Sequence, residues 1–216
     1  MIVAVIDPGS GNLASVARAL EKAGEMAGLA PRVVVTREPE MVRAADRVVL
    51  PGQGAFAACR AGLAAMDGME QSLDEFARNQ GRPFLGICVG LQLMAERGLE
   101  HAITPGLAWL PGEVAPMDPR AADGSPLPLP QMGWNRLDIA RDHPLFDGLA
   151  RDAHAYFVHS YAWARGDPDD LLATTDYGGP VPAALGRGNL AGTQFHVEKS
   201  GLTGLTILRN FLEWAP

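Results

Sequence analysis

The chain has 216 residues, a length typical of one globular domain with a sizeable hydrophobic core. Charged residues make up 20% of it and the formal net charge is −7, which argues against disorder and against electrostatic attraction to nucleic acid or an anionic membrane. Two cysteines are too few for a disulfide framework, and no apolar run approaches the ~20 residues that cross a bilayer. We therefore expect a soluble, cytoplasmic protein with free thiols.

The first half of the chain alternates short apolar runs with helical patterns. The predicted strands are Ile2–Ile6, Arg32–Thr36, Arg47–Leu50 and Pro83–Ile87, and the predicted helices are Leu13–Ala23, Phe56–Met66, Met69–Gln80 and Val89–Arg97. Strands that alternate with helices at this spacing favour a parallel sheet with helices on both faces.

The second half has a different composition. Pro111–Pro130 is rich in Pro, Gly and Asp, which indicates an irregular excursion or a small antiparallel flap. Strand-like runs follow at Trp134–Ile139, Tyr156–Tyr161, Leu171–Thr175, Ala183–Arg187 and Leu190–Phe195, of which the last two form a predicted hairpin, and Gly201–Trp214 is a predicted helix. The fold prediction is one α/β domain over residues 1–216, with a mostly parallel central sheet flanked by helices and a small antiparallel extension.

The segment Gly86-Ile87-Cys88-Val89-Gly90 joins a predicted strand to a predicted helix. Glycines on either side of the cysteine permit the tight turn known as a nucleophile elbow. Such a turn places the thiol at a helix N-terminus, where the dipole favours a thiolate, and positions the Val89 N–H to stabilise an oxyanion. The pattern alone also fits a buried cysteine that fills a strand-to-helix junction. Cys59 lies in a helical run without such a turn and is predicted to be structural.

A thiol nucleophile needs a base and a group that orients this base. His196 and Glu198 follow a predicted strand, and residues i and i+2 of an extended segment project to the same side. The carboxylate can therefore fix the imidazole tautomer while the ring faces Cys88. His159, in an aromatic run, either lines a pocket or packs within a strand. No His, Cys or carboxylate cluster has metal-ligand spacing, so we expect no metal.

The turn Pro51-Gly52-Gln53-Gly54, called the oxyanion turn below, ends a predicted strand at the same sheet edge as Cys88. Ligands of open parallel sheets bind outside this edge. The N–H of Gln53 is either a second oxyanion donor or part of a plain loop. Gly9-Ser10-Gly11 lacks the spacing of a dinucleotide or Walker phosphate loop.

With these residues assembled, the chain resembles the class I (triad-type) glutamine amidotransferases. More narrowly, it resembles the glutaminase subunits of imidazole glycerol phosphate synthases. The cysteine elbow and His196-Val197-Glu198 match the whole class, while Met132–Asn135 and Tyr156–Tyr161 narrow the resemblance. The match covers almost the entire chain and also takes in Asp7–Leu13, Leu50–Gly54, Gly86–Gln92 and Gln194–Ser200.

The resemblance implies that Cys88, His196 and Glu198 form a triad that hydrolyses L-glutamine through a cysteinyl thioester, with no cofactor. According to the resemblance, the oxyanion and the substrate are bound by Gly52, Gln53, Val89, Gln92, Ser160 and Tyr161. It also implies that Asn12, Trp134, Asn135 and Lys199 lie at the interface with a partner protein.

The implied partner is a cyclase subunit, a (β/α)8 barrel, joined to this chain in a heterodimer. It would use the ammonia to form imidazole glycerol phosphate and an aminoimidazole carboxamide ribotide (AICAR) in histidine biosynthesis. In this family the oxyanion turn is commonly misaligned until the cyclase binds its ligand, so the isolated chain is expected to be a poor glutaminase.

Three positions depart from the family pattern. Val197 replaces the usual proline and leaves the segment between the histidine and the glutamate less restrained. Pro8 and Gln131 replace an aromatic residue and a histidine in regions that the resemblance implies for the partner interface. Three other interpretations stay open on the residues alone: a glutaminase of another pathway such as pyridoxal phosphate synthesis, a cysteine peptidase or deglycase, and a thiol-bearing binding or redox module.

Overall fold

A computed structural model describes residues 1–216, and its strands and helices alternate through the first half of the chain. The strands are β1 (Ile2–Ile6), β2 (Arg32–Thr36), β3 (Arg47–Gly52), β4 (Phe84–Cys88), β5 (Arg97–Gly98), β6 (Thr104–Pro105), β7 (Glu113–Pro116), β8 (Gln131–Arg136), β9 (Asp138–Ile139), β10 (His154–His159), β11 (Tyr161–Ala164), β12 (Leu171–Asp176), β13 (Pro180–Arg187) and β14 (Leu190–Thr193). The helices are α1 (Leu13–Met26), α2 (Pro39–Ala44), α3 (Phe56–Ala64), α4 (Met69–Asp74), α5 (Val89–Gln92) and α6 (Gly201–Glu213).

One eight-stranded sheet forms the centre of the molecule, in the order β2-β1-β3-β4-β14-β13-β12-β9. The first five strands are mutually parallel, and the last three are antiparallel. Strands β10 and β8 form a separate antiparallel pair, and β11, β7, β5 and β6 form a small mixed sheet. The prediction of a mostly parallel sheet with a smaller antiparallel extension is confirmed.

The central strands are buried because helices cover both faces of the sheet. Strand β4 is buried at every residue, and β1 and β3 are buried apart from their first residues, as expected for apolar runs in a covered parallel sheet. The crossovers through α1 and α2 run in opposite directions along the sheet, so right-handed connections place these helices on opposite faces. Helix α1 packs against α6, and α2 packs against α4. Nearly all of the buried apolar side chains form one contiguous core.

Two helix predictions were too long by more than one turn, whereas the predicted helix Phe56–Met66 ends only two residues early, at Ala64. The predicted helix Val89–Arg97 ends at Gln92, because the carbonyls of Leu93, Met94 and Ala95 accept hydrogen bonds from backbone N–H groups of residues 107–110 instead of continuing the helix. The predicted helix Met69–Gln80 ends its α-helical part at Asp74 and continues as a π-helical turn.

Three strand predictions also need correction. The predicted strand Tyr156–Tyr161 is interrupted at Ser160 and divided between two sheets, since β10 pairs with β8 whereas β11 pairs with β7. The predicted strand Trp134–Ile139 is divided between two sheets, since β8 pairs with β10 whereas β9 pairs with β12. The predicted strand Leu190–Phe195 ends at Thr193, although its hairpin with β13 is present. No helix is long and apolar enough to span a membrane.

The sheet order brings three chain segments to one edge. Strand β4 lies between β3 and β14, with Gly52 opposite Cys88 and Thr193 opposite Ile87. All three strands run in the same direction, so the oxyanion turn, the cysteine elbow and the residues after Thr193 meet at their carboxyl ends.

Candidate active site

Cys88 lies at a tight turn between β4 and α5. Its backbone has φ +54° and ψ −112°, a conformation that L residues rarely adopt, and its side chain is 4% exposed. The flanking glycines are required by close approach of the helix to the sheet: a Cβ on Gly90 would lie 1.7 Å from the Leu50 carbonyl oxygen, and one on Gly86 would lie 2.6 Å from the Leu91 nitrogen. The strand-to-helix turn predicted at this cysteine is therefore present.

His196 and Glu198 form a buried hydrogen-bonded pair. The distance between His196 Nδ1 and Glu198 Oε1 is 2.8 Å, and the two side chains are 6% and 2% exposed. The backbone is extended only at His196 and then forms a 3₁₀ turn over Val197–Lys199, so the pair arises from a turn and not from strand alternation. Val197 is buried in the core, which restrains this segment by packing where the family usually has proline.

The charge on His196 depends on its two neighbours. Burial acts to lower the pKa of His196, but hydrogen bonds to Cys88 and Glu198, together with their negative charges, outweigh it and raise the pKa to about 9. Since Nδ1 is engaged by Glu198, Nε2 is the nitrogen that remains for Cys88. At neutral pH the arrangement therefore favours an imidazolium beside the thiol group, as thiolate chemistry requires.

Gln194 contacts the thiol directly, and the sequence analysis did not single it out. Its Nε2 lies 3.7 Å from Cys88 Sγ, and its Oε1 accepts a hydrogen bond of 3.1 Å from Gln92 Nε2. Gln92 Nε2 also donates to the Tyr161 carbonyl at 3.0 Å. The available signal was its position two residues before His196, although Gln194 and Phe195 form a bend after β14 and not a continued strand.

A cavity of about 520 Å³ opens onto the thiol and the imidazole. Of the predicted site residues, it is lined by Cys88, His196, Gln53, Val89, Gln92, Ser160, Tyr161 and Lys199. Gly52 is the backbone neighbour of Cys88 in the sheet. Glu100 also lines the cavity, and its Oε2 accepts from the Phe56 N–H at 2.6 Å. Sequence analysis missed Glu100 because it is 44 residues from Phe56 and no local motif includes it.

His159 lines the same cavity and is also a buried, hydrogen-bonded residue of β10, so both of its interpretations describe this residue. Burial lowers its pKa to about 4, against the opposing effect of a 2.9 Å contact between Nδ1 and the Tyr161 carbonyl. The ring is therefore neutral at pH 7, with its proton on Nδ1 where it can donate to this carbonyl. Nε2 is buried and has no hydrogen-bond partner.

The four predicted interface residues differ in their surroundings. Trp134 is 56% exposed, and Lys199 and Asn12 are also exposed, although Asn12 accepts from the Ser15 N–H as the N-cap of α1. Asn135 is half-buried on the other side of β8 from Trp134, where it accepts from Gln131 Nε2 and donates to the Asp176 carbonyl.

The sequence model of one protein family, described as glutamine amidotransferase class-I, matches residues 4–214. Solved structures of glutamine amidotransferases share the fold: one aligns with a TM-score of 0.69 at 20% identity, covering 99% of this chain and 98% of the other. Another, from Thermotoga maritima, aligns with a TM-score of 0.66 at 16% identity, covering 99% and 96%. The chain belongs to the class-I glutamine amidotransferases.

Full-length relatives narrow this membership. The chain is 57% identical to the imidazole glycerol phosphate synthase subunit HisH of Granulibacter bethesdensis, over 100% of this chain and 97% of the relative. It is 54% and 52% identical to the HisH subunits of Rhodospirillum rubrum and Rhizobium meliloti, over 100% of both chains in each case. The narrower resemblance predicted from Met132–Asn135 and Tyr156–Tyr161 is confirmed, and these relatives do not support a peptidase, a deglycase or a redox module.

Proposed function

We propose that the chain is the glutaminase subunit of an imidazole glycerol phosphate synthase and that Cys88, His196 and Glu198 are its catalytic triad. The observation that carries the proposal is the meeting of three features in one cavity. These are a cysteine on a strained strand-to-helix turn, a buried histidine–glutamate pair, and the turn that follows the neighbouring strand.

The first chemical step is attack by the Cys88 thiolate on the side-chain amide carbon of glutamine. The carbonyl oxygen takes up negative charge, for which the N–H groups of Gln53 and Val89 are the proposed donors. The N–H of Gln53 has no hydrogen-bond partner within the chain and is free to donate. When the carbon–nitrogen bond breaks, the His196 imidazolium gives its proton to the departing nitrogen, which leaves as ammonia.

The second step returns the enzyme to its starting state. Neutral His196 takes a proton from water, which attacks the glutamyl thioester and releases glutamate while Cys88 leaves as the thiolate. Glu198 holds the proton on Nδ1 throughout, so that Nε2 always faces the reaction. The donor from Gln194 Nε2 stabilises negative charge on the sulfur whenever the thiolate is free.

The cavity provides a carboxylate and backbone N–H donors that suit the two charged groups of a free amino acid. Glu100 can attract the α-ammonium of glutamine, and its position is fixed by the N-terminus of α3. The backbone N–H groups around Ser160 and Tyr161 are the proposed donors to the α-carboxylate. The N–H groups of Gln92 donate to Tyr161 and Gln194, so its Oε1 is available to accept a hydrogen bond from the substrate.

The proposed partner is the cyclase subunit, which would receive the ammonia and form imidazole glycerol phosphate and AICAR in a heterodimer. An exposed apolar surface supports a partner on this side of the molecule. Met132 and Trp134 on β8, Leu129 just before it and Leu202 at the start of α6 are 63%, 56%, 42% and 71% exposed, and the Trp134 ring lies near Gly201, the residue before Leu202. The Lys199 side chain lines the cavity and belongs to the turn before α6, so a partner on this surface would also meet the cavity mouth.

A cytoplasmic location is part of the proposal. Both cysteines are unpaired, and this chemistry requires Cys88 to stay reduced. The cytosol maintains thiols in this state.

The test is glutamate release from glutamine by the purified chain, alone and with the cyclase subunit and its phosphorylated ligand. We expect strong activity only in the complete mixture and its loss in Cys88→Ala, because no other group in the cavity can form the thioester. The control is His154→Ala, since His154 is exposed and lies outside the cavity. Activity that persists without Cys88 would contradict the proposed chemistry, and equal activity without the cyclase would contradict the proposed dependence on a partner.

A further inference from the structure

The second cysteine lies against the oxyanion turn. Cys59 is fully buried in the first turns of α3, and its Sγ is 3.2 Å from the carbonyl oxygen of Gln53. Its Sγ is also 3.0 Å from Ser10 Oγ. Because side chains of a helix point toward its N-terminus, a residue at this position reaches back to the segment that precedes the helix.

The directions of the two hydrogen bonds follow from the number of protons. A carbonyl oxygen can only accept, so the single thiol proton of Cys59 is donated to Gln53. The hydroxyl of Ser10 then donates to the sulfur. Burial raises the pKa of the Cys59 thiol, against smaller opposing effects of these hydrogen bonds, which keeps the proton on the sulfur. The result is a directed chain from Ser10 through Cys59 to Gln53.

Nothing else in the chain holds this carbonyl. The thiol is its sole hydrogen-bond partner, and the Gln53 side chain is exposed and makes no hydrogen bond. The next residue, Gly54, has φ +85° and no atom within 4 Å of the position of a Cβ, so packing does not restrain the peptide there. The Gln53 N–H, the proposed oxyanion donor, is separated from the held carbonyl by two backbone torsions.

We infer that Cys59 is a positioning residue of the oxyanion site: its thiol fixes the Gln53–Gly54 peptide and thereby directs the Gln53 N–H toward the carbonyl oxygen of the substrate bound at Cys88. The inference rests on the proposed glutaminase function, and it assigns the buried thiol a role that packing alone does not require.

Three variants at Cys59 distinguish the effect of its hydrogen-bond donor from the effect of its side-chain volume. Cys59→Ser keeps a donor, Cys59→Val removes it while filling the space, and Cys59→Ala removes both. In the complex with the cyclase and its ligand, we expect Cys59→Val and Cys59→Ala to lower kcat about 5- to 20-fold, less than the ~10²–10³-fold cost of deleting an oxyanion donor. KM for glutamine should stay within about twofold, because the lost interaction acts in the transition state. Cys59→Ser should retain at least about half of the wild-type kcat, since a hydroxyl also donates.

A purely structural role would give a different pattern. Alkylation of Cys88 by iodoacetamide needs the thiolate but no oxyanion site, so its rate should be the same in the wild type and in all three variants. Alkylation that falls together with kcat, or a Cys59→Ser variant as impaired as Cys59→Val, would overturn the inference. Unchanged or raised kcat in Cys59→Val would do the same.

The conformation of the turn can be measured without any turnover. In the isolated chain, we expect the Gln53 carbonyl ¹³C signal and the Gly54 amide cross-peak to broaden or split in Cys59→Val and Cys59→Ala but not in Cys59→Ser. Identical line shapes in the wild type and Cys59→Val would overturn the inference. If the wild-type complex hydrolyses no glutamine while these signals change as expected, the proposed function fails and the positioning of the turn by Cys59 stands.

Discussion

Two neighbouring strand ends in the same site are held in different ways. The elbow after β4 is held by backbone packing, because Gly86 and Gly90 let α5 approach the sheet closely on both sides of Cys88, which has a positive φ. The oxyanion turn after β3 has exposed residues at Gln53 and Gly54 and a single thiol on its carbonyl. The nucleophile is thus rigidly placed, whereas the oxyanion donor beside it is held by weak forces that a ligand or partner can change.

Substitution of one glycine in each turn, Gly90 in the elbow and Gly54 in the oxyanion turn, should show this difference most strongly. In Gly90→Ala the new Cβ would lie 1.7 Å from the backbone oxygen of Leu50, so we expect a loss of about 3 kcal/mol or more in the free energy of unfolding and no glutaminase activity. In Gly54→Ala the Cβ meets open space, so only the left-handed backbone costs free energy, about 1–2 kcal/mol. Urea unfolding of both variants measures the difference, and equal destabilisation would show that the two turns are not held differently.

Glu198, the third member of the triad, is held in place by burial and by its hydrogen bond to His196, and in this respect it resembles the elbow more than the oxyanion turn. In Glu198→Gln the neutral amide no longer provides the negative charge that stabilises the imidazolium, and it can also turn its NH₂ group toward Nδ1. We therefore expect kcat to fall by about 10²–10⁴-fold with little change in KM. Steady-state kinetics in the complete complex provides the measurement, and the melting temperature serves as the control for folding. A decrease of less than tenfold would contradict the role assigned to Glu198.

The raised pKa of His196 predicts a smaller effect, on stability. Burial opposes the charge, but Cys88 and Glu198 raise the pKa from its ordinary value of 6.5 to about 9. The folded state therefore binds the proton more tightly than the unfolded state. The stabilisation is complete below pH 6.5 and is lost as the pH rises through about 9, by on the order of 1–3 kcal/mol. Urea unfolding between pH 6 and pH 10 should show this loss in the wild type and a flatter profile in His196→Gln. Parallel profiles would refute the assignment.

The sequence predicted the elements whose causes are local. The apolar runs of β1 to β4, the glycine-flanked Cys88 and the hairpin of β13 and β14 depend on residue types within a few positions of one another, and all are present. The helix predicted after Cys88 failed at Leu93 because residues 107–110 take the carbonyls that would have continued it. Such competition between segments leaves no trace in local periodicity.

The candidate site divides in the same way. The cysteine elbow and the short spacing between His196 and Glu198 are properties of the sequence, because backbone geometry over a few residues sets where those side chains can point. The contacts of Gln194 with Cys88, of Glu100 with the start of α3 and of Cys59 with Gln53 were decided by tertiary structure. The order of the strands in the sheet sets which turns meet at its edge, and the packing of α3 and α5 against that edge sets which polar atoms come within hydrogen-bond distance. Both result from burial of the whole core, to which every strand and helix contributes and which no single segment encodes.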